Sequence, residues 1–297
     1  MLVAVLCAAA ASCGPAQHPG TTDDEDEARA DNAPFGGPGN AAKKFVPTSF
    51  SAKVTGSGRP IIFIAGLGCP GDVWDETVAH LGSGVEAHVL TLSGFAGRPR
   101  IDKPLGKTVR KELVRYIRAR GLEAPLIVGH SFGGFIAYWV AESAPKRVGG
   151  VIVVDAGLAL SDTDPDTAEQ LRKLWTQADD DQFAQQVRDV FSGMATDPRR
   201  MAHTVEAVAK SDRFAMGDAI YENSTTDLRA KVARITAPLL VVLADGGQQQ
   251  QIRAQVDVIP DHKVVVLPHT KHFVMFDDPA GFFRTVDAFL AAHPASR

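Results

Sequence analysis

The sequence predicts an α/β protein built on a mostly parallel, doubly wound sheet, and three observations lead there. Short runs rich in β-branched residues alternate with helical stretches, as in Pro60–Ala65, Ala87–Leu92, Leu126–Gly129 and Val148–Val154. Such continuous apolar runs, rather than alternating ones, mark strands covered on both faces. Alternation of strand and helix then argues for parallel pairing through right-handed crossovers. Finally, one strand runs directly into Gly129-His130-Ser131-Phe132-Gly133 and a helical stretch, Phe135 to Ser143.

Taken in order, Met1 to Ala11 is almost wholly apolar and closes Ala10-Ala11-Ser12-Cys13-Gly14. It is too short to span a bilayer and reads as an export signal, residues 1–13, with a lipoprotein-type cleavage box in which Cys13 carries the lipid. Residues 14–45 are rich in Pro, Gly, Ala, Asp and Glu and hold the acidic run Asp23 to Glu27. Such a segment buries too little surface to offset its ordering entropy and reads as a tether.

The folded part, 46–297, opens with an edge strand at Phe50–Thr55 and the buried strand Pro60–Ala65. The turn Gly66–Gly71 follows, with Asp72 capping a helix to Leu81. After the strand Ala87–Leu92 comes a helix with a basic outer face, Gly106–Arg120, closed by Gly121. Alternation stops after Val148–Val154. Residues from Ser161 to Ala233 are polar and helical, in four segments, 166–176, 182–192, 199–210 and 213–223, so that a helical cap occupies about 158–234. Strands resume at Pro238–Ala244 and His262–Leu267, and a last helix spans Pro279–Ala292.

Composition bounds the function. A net charge of −4 without a basic stripe excludes nucleic acid as a natural partner. Among three cysteines, Cys7, Cys13 and Cys69, no metal-ligand spacing occurs. Cys69 reads as a buried, inert thiol.

The chemistry centres on Ser131. A strand–turn–helix around Gly-x-Ser-x-Gly lifts the hydroxyl out of the backbone at the carboxyl edge of the sheet. Gly129 and Gly133 leave room where strand and helix press together. The N–H of Phe132, at the helix start, faces a developing oxyanion. A serine hydroxyl needs a base, and His272, between the last strand and the last helix, is the candidate, with His269 as its rival. His130 is read as pointing elsewhere on the turn. Two strands end in aspartate, Asp155 and Asp245, and either could orient the imidazole, Asp155 being preferred. Trp175, in the insertion, is a candidate pocket wall.

Together Ile64–Leu67, Val73-Trp74-Asp75, Gly94–Gly97, the Ser131 turn and Lys271–Pro279 resemble the α/β-hydrolase superfamily, more narrowly the secreted bacterial serine hydrolases of the esterase or aminopeptidase-like group. The resemblance covers about Phe50 to Leu290. It implies an α/β-hydrolase fold with the helical cap inserted after the sixth strand. It also implies an oxyanion-hole N–H at Leu67 beside that of Phe132, although Ala65 replaces the family's usual histidine before Gly66. The commoner acid position corresponds to Gly247, which holds no carboxylate, and this favours Asp155 over Asp245. The implied activity is hydrolysis of an ester or related acyl bond of a small molecule through an acyl-enzyme on Ser131, with no metal or organic cofactor. The alternatives are a cofactor-free perhydrolase using the same residues, and a non-catalytic surface lipoprotein that keeps the fold as a binding module. Lipidated Cys13 would anchor the protein to a membrane, or the chain would be periplasmic or extracellular.

Overall fold

The computed structural model describes residues 45–158, 164–246 and 249–295. The expected export signal with Cys13, the expected tether as far as Lys44, and Gly247 lie outside the described residues. Seven strands form one sheet in the order β1-β3-β2-β4-β5-β6-β7. They are β1 (Phe50–Gly56), β2 (Arg59–Ile64), β3 (Val85–Leu92), β4 (Leu126–His130), β5 (Gly150–Val154), β6 (Leu239–Ala244) and β7 (His262–Leu267). Only β1 runs antiparallel, against β3, at an edge of the sheet. The other five pairings are parallel. Every residue of β4, β5 and β6 is buried, which is why these strands read as unbroken apolar runs. Each such Val, Ile or Leu contributes about 1.5–3 kcal/mol by leaving water.

Helices α1 (Asp75–Leu81), α2 (Leu105–Arg120) and α3 (Phe132–Ser143) fill the crossovers of the first half. All of α3 is buried, in keeping with its all-round apolar sequence Phe-Gly-Gly-Phe-Ile-Ala-Tyr-Trp-Val-Ala. Gly121 closes α2 in the left-handed region, its N–H bonded to the carbonyls of Ile117 and Arg118. Asp72, expected to cap α1, does not: the α1 N-cap is Trp74, without a side-chain bond. The Asp72 carboxylate instead accepts from His203 Nε2 at 2.8 Å.

The insertion comprises α4 (Pro165–Thr176), α5 (Asp180–Phe191), α6 (Pro198–Val208) and α7 (Arg213–Thr225). Aspartates 164, 179, 197 and 212 cap all four helices through their carboxylates. Trp175 is buried within the insertion, edge-on to Phe183 at 5.7 Å, and so packs the cap's own core. The insertion follows the fifth strand, β5, rather than a sixth, because the described residues hold only β1–β5 ahead of it. Its two ends meet: Leu228 N–H donates to the Leu158 carbonyl at 3.2 Å.

After β6 comes a helix that the pattern did not announce, α8 (Gln249–Val256), where only Ile252 and Val256 are buried. A short turn of helix, α9 (Val274–Asp277), and α10 (Pro279–Ala292) complete the chain. Among the described residues no helix is long and apolar enough to cross a membrane.

Candidate active site

Ser131 sits between β4 and α3 at φ +54°, ψ −122°, a strained backbone for a residue with a β-carbon. The close packing around it explains its glycines. A β-carbon on Gly129 would lie 2.2 Å from the Gly133 carbonyl oxygen, and one on Gly133 would lie 2.3 Å from that of Ile64. Ser131 N–H donates to the Val154 carbonyl at 2.9 Å, so the turn is pinned to the end of β5, one residue before Asp155.

Asp155 adopts φ +48°, which aspartate tolerates better than most residues. Its Oδ2 lies 2.7 Å from His272 Nδ1, and its Oδ1 accepts from Ala244 N–H at 3.0 Å. Burial alone would raise its pKa. The bond to His272 and that ring's charge, with the Ala244 N–H, outweigh burial and hold the carboxyl below its usual range. Beside a carboxylate, His272 Nδ1 must donate, which leaves Nε2 of the neutral ring with its lone pair free to take a proton.

Asp245 takes a different place. Its Oδ2 accepts from the backbone N–H of His269 at 3.3 Å, which supports the start of the loop that carries His272. The His269 residue is exposed, at φ +61°.

His130 does not point away from this group. Its ring is fully buried, 4.6 Å from the His272 ring and 4.5 Å from that of Phe273. Nε2 donates to the His272 carbonyl oxygen at 2.9 Å. Desolvation, aided by the charge of His272, pushes its pKa down to about 3, so His130 is neutral. A cation there would oppose any imidazolium forming on His272. A histidine flanked by Gly129 and Ser131 carries no sequence signal for this role, because the contact is with a loop 142 residues away.

The turn after β2 lies against the other side of Ser131. A β-carbon on Gly66 would come within 3.2 Å of Ser131 Cβ. Cys69 N–H closes the turn on the Gly66 carbonyl at 3.0 Å, with Gly68 at φ +70°, as a turn with a left-handed third residue requires. Leu67 is the second residue of this turn, directly after Gly66, and Phe132 opens α3 directly after Ser131. Ser211 Oγ, from the cap, donates to the Gly68 carbonyl at 3.2 Å. A β-carbon on Gly68 would meet Met216 Sδ and Val208 Cγ1, both at 2.7 Å, so cap side chains press on this turn. Cys69 is buried and its thiol is pushed up by desolvation and by Asp72, which leaves no thiolate to act.

The arrangement therefore brings together a hydroxyl on a strained turn, an imidazole oriented by a carboxylate, and the turn Gly66–Cys69 packed against the serine. Among the described residues no cluster of three or more His, Cys, Asp or Glu side chains could hold a metal ion.

Residues 61–285 match the sequence pattern of the alpha/beta hydrolase family. A pimeloyl-[acyl-carrier protein] methyl ester esterase of Aliivibrio salmonicida is 34% identical over 107 residues, which are 36% of this chain and 40% of that protein. The protein of the same name from Pectobacterium atrosepticum is 24% identical over 245 residues, 78% of this chain and 94% of its own. Among solved structures, a thermophilic esterase from Thermogutta terrifontis superposes with a TM-score of 0.73 at 17% identity, over 83% of this chain and 94% of that one. The enol-lactonase from Burkholderia xenovorans gives 0.72 at 17% identity, over 82% and 96%. At these identities the two structures speak for the fold alone.

Proposed function

The chain belongs to the alpha/beta hydrolase family, and from that premise we propose that it is a serine hydrolase that cleaves a carboxylic ester or related acyl bond of a small molecule through an acyl-enzyme on Ser131. The observation that carries the reading is the 2.7 Å contact of His272 Nδ1 with Asp155 Oδ2, adjoining the strained turn of Ser131. The methyl ester esterases among its relatives support an ester over an amide.

In this reading His272 Nε2 takes the Ser131 proton as Oγ bonds to the acyl carbon. The carbonyl electron pair moves onto oxygen, where the N–H groups of Leu67 and Phe132 receive it; one such donor is worth about 10²–10³ in rate. Collapse breaks the bond to the leaving alcohol, which departs with the proton from His272. Water then enters, gives a proton to His272 and attacks the acyl carbon. Release of the acid returns the proton to Ser131. Asp155 accepts from Nδ1 throughout, holds the useful tautomer and offsets the imidazolium charge.

The test is hydrolysis of short p-nitrophenyl esters and labelling by a fluorophosphonate probe. Wild type is labelled and active; Ser131→Ala is folded, unlabelled and inactive. An unlabelled wild type with intact fold would instead favour a binding module, and a Ser131→Ala variant that keeps its activity would remove Ser131 from the chemistry.

We also propose export with anchoring through Cys13, on the apolar run that ends Ala-Ser-Cys-Gly. Cys13→Ser is expected to move the protein from the membrane to the soluble fraction. Full-length protein in the cytosol with Met1 attached would exclude it.

A further inference from the structure

The loop that carries His272 is held by more than the domain on which it sits. Three consecutive backbone groups around the imidazole each have a partner. Lys271 N–H donates to Asp277 Oδ2 at 2.7 Å, the His272 carbonyl accepts from His130, and Phe273 N–H donates to the Met194 carbonyl at 3.2 Å. Met194 belongs to the cap, in the turn between α5 and α6. The same turn reaches Asp277 from the other side. Thr196 donates to Asp277 Oδ1 twice, through its N–H at 2.7 Å and its hydroxyl at 2.8 Å. Lys271 Nζ adds a bond to the Gly193 carbonyl at 3.0 Å. One carboxylate therefore grips the residue before His272 with one oxygen and the cap with the other, while the residue after His272 bonds the cap directly.

We propose that Asp277 is a positioning residue that ties the loop carrying His272 to the cap turn Gly193–Thr196, so that the base is aligned only when the cap is seated. Charge-assisted bonds from a carboxylate to backbone N–H groups are short and directional. Two of them on opposite oxygens fix the loop relative to the cap in translation and rotation. A loop freed from this clamp lets the imidazole wander, and a displacement of about 1 Å costs on the order of 10²-fold in rate. Asp277 itself touches neither Ser131 nor the imidazole among the described contacts, so its effect passes through Lys271 and the cap. The proposal rests on the reading of Ser131 and His272 as nucleophile and base.

The experiment compares wild type, Asp277→Ala, Thr196→Val and the double variant. It reads kcat and KM for a p-nitrophenyl ester, normalised to sites labelled by fluorophosphonate, and the low-field proton resonance of His272 Nδ1–H. Asp277→Ala is expected to lower kcat by about 10- to 100-fold with KM within about threefold, and to broaden the resonance. Thr196→Val, which loses the hydroxyl but keeps the N–H, moves kcat in the same direction by less. The double variant is no worse than Asp277→Ala, since the hydroxyl has by then lost its partner. An unchanged kcat per labelled site with a sharp resonance would overturn the proposal, as would full additivity. If Asp277→Ala does not fold, Thr196→Val decides alone, and an unaltered kcat in that variant overturns the proposal. If Ser131→Ala keeps esterase activity, the underlying assignment fails, while the His272 resonance still decides whether the clamp exists.

Discussion

Replacing Asp155 by asparagine changes one atom at the carboxylate and reverses the instruction given to His272. The amide oxygen of the new side chain would keep the Ala244 N–H, which lies 3.0 Å from Oδ1 of the aspartate. Its NH₂ would then face His272 Nδ1, across the present 2.7 Å contact, as a donor. The neutral ring answers by placing its proton on Nε2, the atom that must accept from Ser131. The backbone cost is small, because asparagine tolerates φ +48° nearly as well as aspartate. The loss therefore falls on the chemical step. The serine-protease precedent for this exchange is a fall of about 10⁴ in kcat, or about 5.5 kcal/mol of barrier. Asp245→Asn is the matched control. It affects two long bonds, from His269 N–H at 3.3 Å and from Gln249 Nε2 at 3.4 Å, of which the amide oxygen can still accept one. Its cost is expected below about 1 kcal/mol, at most about fivefold in rate. Both variants are assayed on one p-nitrophenyl ester, with circular dichroism and thermal melting to show that each folds. A crippled Asp245→Asn beside a mild Asp155→Asn would refute the tautomer argument. Two mild variants would mean that Ser131 and His272 work without a carboxylate.

Two further expectations follow from packing and charge. Glu112 accepts from both N–H and both hydroxyl groups of Thr48 and Ser49, at 2.6–2.8 Å. Partial burial would raise its pKa, but these bonds outweigh burial and hold it below 4.5. A depressed folded-state pKa gives stability above about pH 4.5 that is lost as pH falls through the folded value. Glu112→Gln should therefore lower the unfolding free energy at pH 7 by about 1 kcal/mol after solvent screening, read by thermal melting, and have little effect well below pH 4. Equal losses at both pH values would refute this account. Gly68→Ala places a β-carbon 2.7 Å from Met216 Sδ at φ +70°; the expected cost is about 1–3 kcal/mol with reduced kcat. Met216→Ala should restore part of the stability in the double variant, and no restoration would leave the Val208 contact, also at 2.7 Å, and the backbone strain as the causes.

How far the sequence foretold this molecule depends on the range of each interaction. The strands and the turn at Ser131 follow from local rules, since a run such as Leu-Ile-Val-Gly-His buried on every residue has few other uses. The four cap helices each begin at an aspartate that the structure shows capping them. Helix α8 was hidden because four glutamines and two buried apolar residues make too short a stripe to read as a period. The position of Asp155 could be argued only by elimination, because pairing with His272 spans 117 residues. The roles of His130 and Asp277 could not be read at all. Each depends on which backbone group of a distant loop comes to rest beside it, and residue type says nothing about that.

The hydrogen bond that joins Leu228 to Leu158 makes the cap a closed excursion from the sheet. Chain leaves and returns at one spot, so the register of β5 and β6 does not depend on how many residues lie between. Doubling the length of such an excursion costs only about 0.6 kcal/mol in closure entropy. New specificity can thus be acquired by exchanging cap segments wholesale. The segments that such an exchange must preserve are the short ones that touch the catalytic loops, Gly193–Thr196 and Ser211, whereas the exposed faces of α4 and α5 are free to drift.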